Sequence, residues 1–414
     1  MGESVKLLVL FVAVLLAAVC VFAIFSDKSL PQTLADALHG ETEEAPNGTG
    51  DNNNGEEIRA VWVTYTEIRD MVSGKSKAEF ETRVEAVLEK LGELRINTLF
   101  WHTRAFCDAL YLKTEFPVSK YICGADGAPP QYDPLEVVIE KAKEKGIAVY
   151  AWVNPFRVSA DGTVPATGKA AALFSSADNF FRTESGVWLD PASAAVQRLV
   201  LDGIAELCDN YRIAGIQFDD YFYPSGTAQT VCGAYSEYKA GGGTLPVRQW
   251  RTGALSAFIS SVYSFIKSKN TDLVFSISPG GIPEKDLAES LADVAEWCSG
   301  GYADMLVPQI YYGLENETAP FEKTAEEWAR MCAGSDVELV CGLAAYKCGK
   351  VDEFAGSGKN EWAENTSVLK DEYSIIAKSG AFSGFSLFSS SYCTDENGSE
   401  ISDTEIKMLK SVIQ

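Results

Sequence analysis

Two acidic residues stand side by side in the segment Gly215-Ile216-Gln217-Phe218-Asp219-Asp220-Tyr221-Phe222-Tyr223-Pro224, and by type and spacing they are the residues of this chain best suited to chemistry. Adjacent carboxylates repel, so one keeps a proton while the other ionises. An acid next to an ionised partner is what cleavage of a glycosidic bond requires. Two plainer roles compete: Asp220 capping a loop amide while Asp219 acts alone, or both side chains serving structure only. Read as a strand, the segment sends Ile216 and Phe218 to one face and Gly215, Gln217, Asp219 and Tyr221 to the other. The two carboxylates then fall where the strand ends.

Something must hold that strand end in place. From Ile58 onward, short apolar runs alternate with amphipathic stretches. Strands are predicted over 58–65, 96–104, 148–155, 213–221, 273–280, 304–312, 337–346 and 384–390. Helices are predicted over 77–94, 134–145, 192–210, 247–267, 285–298, 319–332, 360–379 and 404–413. Eight strand–helix repeats are the number that closes a parallel (β/α)8 TIM barrel of the α/β class, here residues 57–414. A doubly wound open sheet is the α/β alternative, but it wants a glycine-rich phosphate loop after its first strand, and Thr64 to Asp70 offers none. In a barrel two long loops, 156–190 and 223–245, fall on the active-site face, where long loops are usually binding walls.

Other predicted strand ends carry polar groups at the same level: His102 and Arg104 on the second, Asn154 and Arg157 on the third, Ser278 on the fifth, and Gln309, Tyr311 and Tyr312 on the sixth. Together they make a pocket hypothesis. Singly each has a plainer reading; Arg157, for instance, could simply pair with Asp190. Aromatic residues crowd the same motifs: Trp62, Trp101, Trp152, Trp188, Tyr221, Phe222 and Tyr223. Rings of this kind offer flat partners to the apolar faces of sugars, and Trp62, Trp152, Tyr221 and Tyr223 are candidates; others will be core. Glu315, beyond the sixth strand, is a candidate second carboxylate.

Several classes are disfavoured. The net charge of −23 opposes nucleic acid and anionic surfaces. With only 2 histidines, one of them His39 before the barrel, a multi-histidine zinc site is improbable, so no metal or cofactor is expected. No G-x-S-x-G elbow, P-loop or dinucleotide fingerprint occurs. Of the 10 cysteines, none forms a C-x-x-C pair; most look like core fillers, and Cys107 with Cys123 and Cys341 with Cys348 are candidate local disulfides. At the N-terminus, Lys6 precedes an uncharged apolar run over 7–25, about the length that spans a bilayer. It reads as a signal-anchor (residues 1–25), with a cleaved signal peptide as the alternative, placing the barrel outside the cytoplasm, tethered or secreted. Residues 26–56, rich in Asn, Gly and Glu, read as a flexible linker.

The order and spacing of several segments resemble the glycosyl-hydrolase-like family numbered ten, a group of bacterial (β/α)8 barrels. The resemblance rests on Ile58-Arg59-Ala60-Val61-Trp62-Val63-Thr64, Ile96-Asn97-Thr98-Leu99-Phe100-Trp101-His102-Thr103-Arg104, Ala109-Leu110-Tyr111, Tyr132-Asp133-Pro134-Leu135, Ala151-Trp152-Val153-Asn154-Pro155-Phe156-Arg157, Phe218-Asp219-Asp220-Tyr221-Phe222-Tyr223-Pro224 and Val307-Pro308-Gln309-Ile310-Tyr311. It implies a glycoside hydrolase of bacterial surface glycans; one member of the family acts on peptidoglycan strands stripped of their stem peptides. Asp219 and Asp220 fall on the family's paired-Asp motif, and Asn154, Arg157, Gln309 and Tyr311 on its other rim motifs. The chain departs from the family pattern at His102, where Gln is usual, at Gly280, where a larger aromatic is usual, and around Gly253, where an Asn is usual.

The expectation is therefore hydrolysis of an N-acetylhexosamine-containing glycan, within peptidoglycan, with the substrate's own acetamide as nucleophile. Asp220 is assigned as the acid and Asp219 as the group that holds the acetamide; the reverse assignment stays open, as does a scheme with Glu315 as nucleophile or base. The rivals from other classes are a non-catalytic glycan-binding barrel at the cell surface and a metal-dependent deacetylase. No protein partner is expected.

Overall fold

The computed structural model describes residues 56–393 and 400–413. The apolar run 7–25 and all of the linker but Glu56 lie outside the described residues, and among those described no helix is long and apolar enough to cross a membrane. The strands are β1 (Ile58–Val63), β2 (Thr98–Arg104), β3 (Ala148–Val153), β4 (Arg157–Ser159), β5 (Phe180–Thr183), β6 (Gly186–Leu189), β7 (Gly215–Phe218), β8 (Val274–Ile277), β9 (Met305–Leu306), β10 (Glu338–Leu343) and β11 (Gly384–Phe388). The helices are α1 (Tyr65–Val72), α2 (Lys77–Glu93), α3 (Pro134–Glu144), α4 (Ala194–Asn210), α5 (Gly233–Ala240), α6 (Val247–Lys269), α7 (Pro283–Glu289), α8 (Val294–Gly300), α9 (Phe321–Cys332), α10 (Glu361–Glu364), α11 (Val368–Ser379) and α12 (Glu400–Lys410).

Eight strands close a parallel barrel in the order β1-β11-β10-β9-β8-β7-β3-β2, so every predicted barrel strand is present. The alternation of side chains divides the core in two. Ile58, Ala60, Trp62, Phe100, Tyr150, Trp152, Met305, Val307 and Val340 fill the barrel interior. The opposite faces, such as Val61, Leu99, Val149, Ile216 and Phe218, pack beneath the helices. That is the (β/α)8 arrangement, a filled cylinder whose chemistry lives at its C-terminal rim.

Caps decide where the helices begin. Thr64 and Glu67 form a capping box ahead of α1, and Ser76 and Glu79 another ahead of α2. Asp133 caps α3, and Ser193 caps α4. Glu67 also closes the barrel: its Oε1 accepts from the Ser391 amide at 2.6 Å and from the Ser389 and Ser390 hydroxyls at 3.0 Å, joining the exit of β1 to the exit of β11.

The structure corrects several expectations. The predicted helix 285–298 is two, α7 and α8, because Leu291 turns to a φ of 59° to bury its side chain and Asp293 starts a new helix by accepting from the Glu296 amide. The predicted helix 360–379 likewise splits into α10 and α11, with Glu405 of α12 capping the amides of Val368 and Leu369. The sixth strand shrinks to Met305–Leu306, since Pro308 has no amide to give; Gln309 nonetheless bridges the backbones of Gly280 and Gly342. Helices α1 and α5 and a three-stranded antiparallel sheet, β4-β6-β5, inside the long loop after β3 are additions. Neither candidate disulfide forms: Cys107, Cys123, Cys341 and Cys348 are free thiols.

That loop is anchored by a buried ion pair. Arg251 of α6 donates to Asp190 at 2.8 and 3.0 Å, with side chains only 0% and 2% exposed, and to the Thr230 carbonyl at 2.8 and 3.0 Å. Asp190 thus has Arg251, not Arg157, as its cation. Removing one partner of such a pair leaves an unpaired buried charge. Arg251→Met should destabilise the fold by about 3–5 kcal/mol, and the double variant Arg251→Met with Asp190→Leu by clearly less, as denaturant unfolding will show.

Candidate active site

The strand β7 delivers the site. Its inward Gln217, fully buried, accepts from Trp62 Nε1 at 2.7 Å and reaches Ser276 Oγ at 3.4 Å, which locks the floor of the barrel beneath the rim. One step up, Asp219 is 2% exposed; its Oδ2 accepts from Trp152 Nε1 at 3.1 Å and its Oδ1 from the Tyr221 amide at 3.3 Å. Asp220 is half-buried and lines an open cleft of about 460 Å³. Burial drives the Asp219 carboxyl well above the ordinary aspartate range, and the Asp220 charge beside it pushes the same way. Burial also raises Asp220, against a hydrogen bond from Gln309. The pair therefore holds a proton that an exposed pair would lose.

Trp152 owes its position to His102. The two rings stack at 3.6 Å between centroids and 12° between planes, and His102 Nε2 lies 3.2 Å from Asn154 Oδ1. Asn154 in turn donates to the Ala105 carbonyl at 3.1 Å, which leaves its Oδ1 to accept and Nε2 of His102 to donate. Burial, with Arg157 nearby, lowers His102 to about 3, so the ring is neutral at ordinary pH. Arg157 spans the rings of Phe106 and Tyr221, 4.9 and 4.6 Å from their centroids, and its charge favours ionisation of both aspartates.

The predicted site residues thus occupy different levels. Asp220, Tyr223, Gln309, Tyr311 and Tyr312 line the cleft. Asp219, Trp152, His102, Asn154 and Trp62 are buried and are not part of that lining. Tyr221 is half-buried between Arg157 and Trp188, and Tyr223 is held by the Arg251 guanidinium at 3.4 Å. Ser278 is buried at its strand end with its hydroxyl unpartnered.

Two placements overturn the sequence reading. Arg104 does not reach the rim. A register shift between His102 and Arg104 turns it out to the helical layer, where its guanidinium lies 3.7 Å from the centre of Phe116. Gly203 on α4 makes room for it: a Cβ there would come within 1.9 Å of Arg104 Nη1. Glu315 is exposed and is not part of the cleft lining; its amide caps onto Glu361. The carboxylate that does face Asp220 is Asp286 of α7, which sequence reasoning missed; the bare Gly280-Gly281 pair was the available signal. Tyr346, Lys347 and Asp352 from the loop after β10 complete the far wall. The loop 156–190 is absent from that lining; it backs the site by packing Trp188 on Tyr221 and Phe181 beside Tyr223. Among the described residues no cluster of three or more His, Cys, Asp or Glu is placed to hold a metal.

A closed parallel barrel carrying an acidic pair at the C-terminal rim, beside an aromatic-walled cleft, has the layout of a carbohydrate-active barrel. The family description that matches this chain is glycosyl hydrolase-like 10, over residues 57–358, and the chain belongs to that family. Relatives include the glycosyl hydrolase DigH of Escherichia coli O6:H1, 29% identical over 370 residues that span 81% of this chain and 83% of that protein. The glycosyl hydrolase YngK of Bacillus subtilis is 25% identical over 311 residues, 70% of this chain and 61% of that one. Among solved structures, the PgaB (BpsB) glycoside hydrolase domain of Bordetella bronchiseptica superposes with a TM-score of 0.59 at 14% identity, covering 87% of this chain and 99% of that domain; the likeness is one of fold.

Because Asp219 keeps its proton in the folded barrel at pH values where the unfolded chain has lost it, stability falls as pH rises above the ordinary aspartate range. Asp219→Asn, which never ionises, removes that dependence. Its melting temperature should exceed the parent's by a few degrees at about pH 7, with the gap narrowing toward about pH 4, as calorimetry will record.

Proposed function

We propose that this protein is a glycoside hydrolase that cuts N-acetylhexosamine-containing bacterial surface glycan, specifically the glycan strands of peptidoglycan. The observation that carries the reading is the Asp219–Asp220 pair: two consecutive carboxyl groups held at the barrel rim, one buried under Trp152 and one open to the cleft. The cleft walls suit a sugar, with the rings of Tyr311, Tyr312 and Tyr346 and the amide of Gln309.

Side chains on consecutive residues do not flank a sugar from opposite faces, which favours a nucleophile supplied by the substrate. In this scheme binding of the sugar moves the pair's proton from Asp219 to Asp220, and Asp220 gives it to the glycosidic oxygen as the bond to the anomeric carbon breaks. The acetamide carbonyl oxygen of the same sugar attacks that carbon, and Asp219, oriented by Trp152 and the Tyr221 amide, accepts from the acetamide N–H as its nitrogen gains positive charge. Asp220, now ionised, takes a proton from water; the resulting hydroxide opens the cyclic intermediate and restores the acetamide. Two displacements at one carbon retain its configuration. The apolar run 7–25 supports a location outside the cytoplasm, on a membrane tether or after secretion, where such a substrate lies.

Incubation with peptide-free glycan strands should release reducing ends with the β configuration kept. Asp220→Asn and Asp219→Asn should each lower that rate by about 10²–10⁴-fold. Full activity in both variants would defeat the assignment, and wild-type protein that binds strands without cutting them would replace hydrolysis with a surface-binding role.

A further inference from the structure

The cleft holds one carboxyl group that the scheme above does not use. Asp286 projects from α7 toward Gly280, at the exit of β8, and both residues line the cleft with Asp220. Gly280 has no side chain, and the space is taken by the aspartate: a Cβ at 280 would lie 2.3 Å from Asp286 Oδ1. Its other oxygen, Oδ2, is shut from solvent and has no protein partner. A carboxylate oxygen left so costs free energy unless the group stays neutral or a ligand completes it.

The titratable groups around it are Asp220 across the cleft, Lys285 and Glu289 on its own helix, and the phenol of Tyr312 from the segment after β9. Burial first and then the Asp220 charge push Asp286 up to about 8; Lys285 and the Gly280 backbone pull the other way without prevailing. At neutral pH the side chain is a carboxylic acid, and a carboxylic acid can donate a hydrogen bond where a carboxylate cannot.

We infer that Asp286, seated against Gly280, is a substrate-contacting residue that donates its proton in a hydrogen bond to an acceptor oxygen, hydroxyl or acetamide carbonyl, of the sugar bound beside Asp220. The inference rests on the reading of this cleft as a glycan site. No bond is made or broken at Asp286; it recognises an oxygen acceptor, and it stops doing so when it ionises. Any side chain at 280, even a methyl group, displaces it. The bare glycine at that position is thus part of the recognition device.

The test pairs kinetics with a readout that needs no turnover. With the full chain and peptide-free glycan strands, KM for wild type should rise about tenfold between about pH 6 and pH 9.5, as Asp286 ionises. Asp286→Asn keeps a donor and cannot ionise, so its KM should stay flat over that range. Asp286→Ala and Gly280→Ala should show the raised KM at every pH, with kcat changed less. In parallel, the carboxyl ¹³C resonance of Asp286, assigned by its loss in Asp286→Asn, should titrate well above the exposed aspartates and shift when the strands are added. A wild-type rise in KM that persists in Asp286→Asn overturns the inference. So does a resonance that titrates with the exposed carboxylates or ignores the strands. If wild type hydrolyses nothing, the proposed function falls, and the resonance alone decides the role of Asp286.

Discussion

Carboxyl groups on consecutive residues cannot both be charged inside a protein without help, and the rest of this site follows from how the barrel deals with that constraint. Asp219 receives two donors, the Trp152 indole and the Tyr221 amide, and both favour its ionised form. Asp220 receives the Gln309 side chain, and Arg157 contributes charge to both. Burial outweighs this support, so the pair retains a proton. A barrel that packed the same residues with more donors would hold two carboxylates and no acid.

Holding that balance requires rigid geometry underneath. Trp62, Gln217 and Ser276 are linked across the floor, from β1 to β7 to β8. Above them, His102 stacks on Trp152 and is pinned by Asn154, so the indole that orients Asp219 is fixed on its face and at its edge. His102 serves here because it is neutral: a charged imidazolium on Trp152 would pull the aspartates toward ionisation and spoil the acid. Its burial keeps the proton off.

The barrel itself was readable because short apolar runs alternate with amphipathic stretches, and because helix starts carry explicit caps such as Thr64 with Glu67 and Asp133 with Pro134. The location of Asp219 and Asp220 followed from the same alternation. What the pattern could not reveal were the places where one residue breaks it. The register shift after His102 sends Arg104 outward although strict alternation points it in. The left-handed turn at Leu291 divides a stretch that reads as one helix. Glu315 seemed well placed by sequence distance from the sixth strand, yet its loop folds onto Glu361 and away from the cleft. Arg104 and Glu315 depend on partners far along the chain, Gly203 and Glu361, and no local window contains them.

The site is divided in a way that bears on how it could change. Its buried half, built from β1, β2, β3 and β7, sets the protonation of the acidic pair and, on the proposed reading, presents that pair to the sugar. Its open half, contributed by α7 and by the segments after β8, β9 and β10, meets the ligand. Substitutions in the first half alter the acid itself and act on every substrate alike. On the proposed reading, substitutions in the second, Gln309 apart, alter which oxygen atoms of a glycan are recognised and leave the acid in place. Gly280 belongs to the second half: it lies close enough to admit or expel the side chain of Asp286 while making no contact with Trp152 or His102 that the chemistry depends on. A change at one backbone position can therefore retune specificity without rebuilding the acid, because the two tasks are carried by different strands.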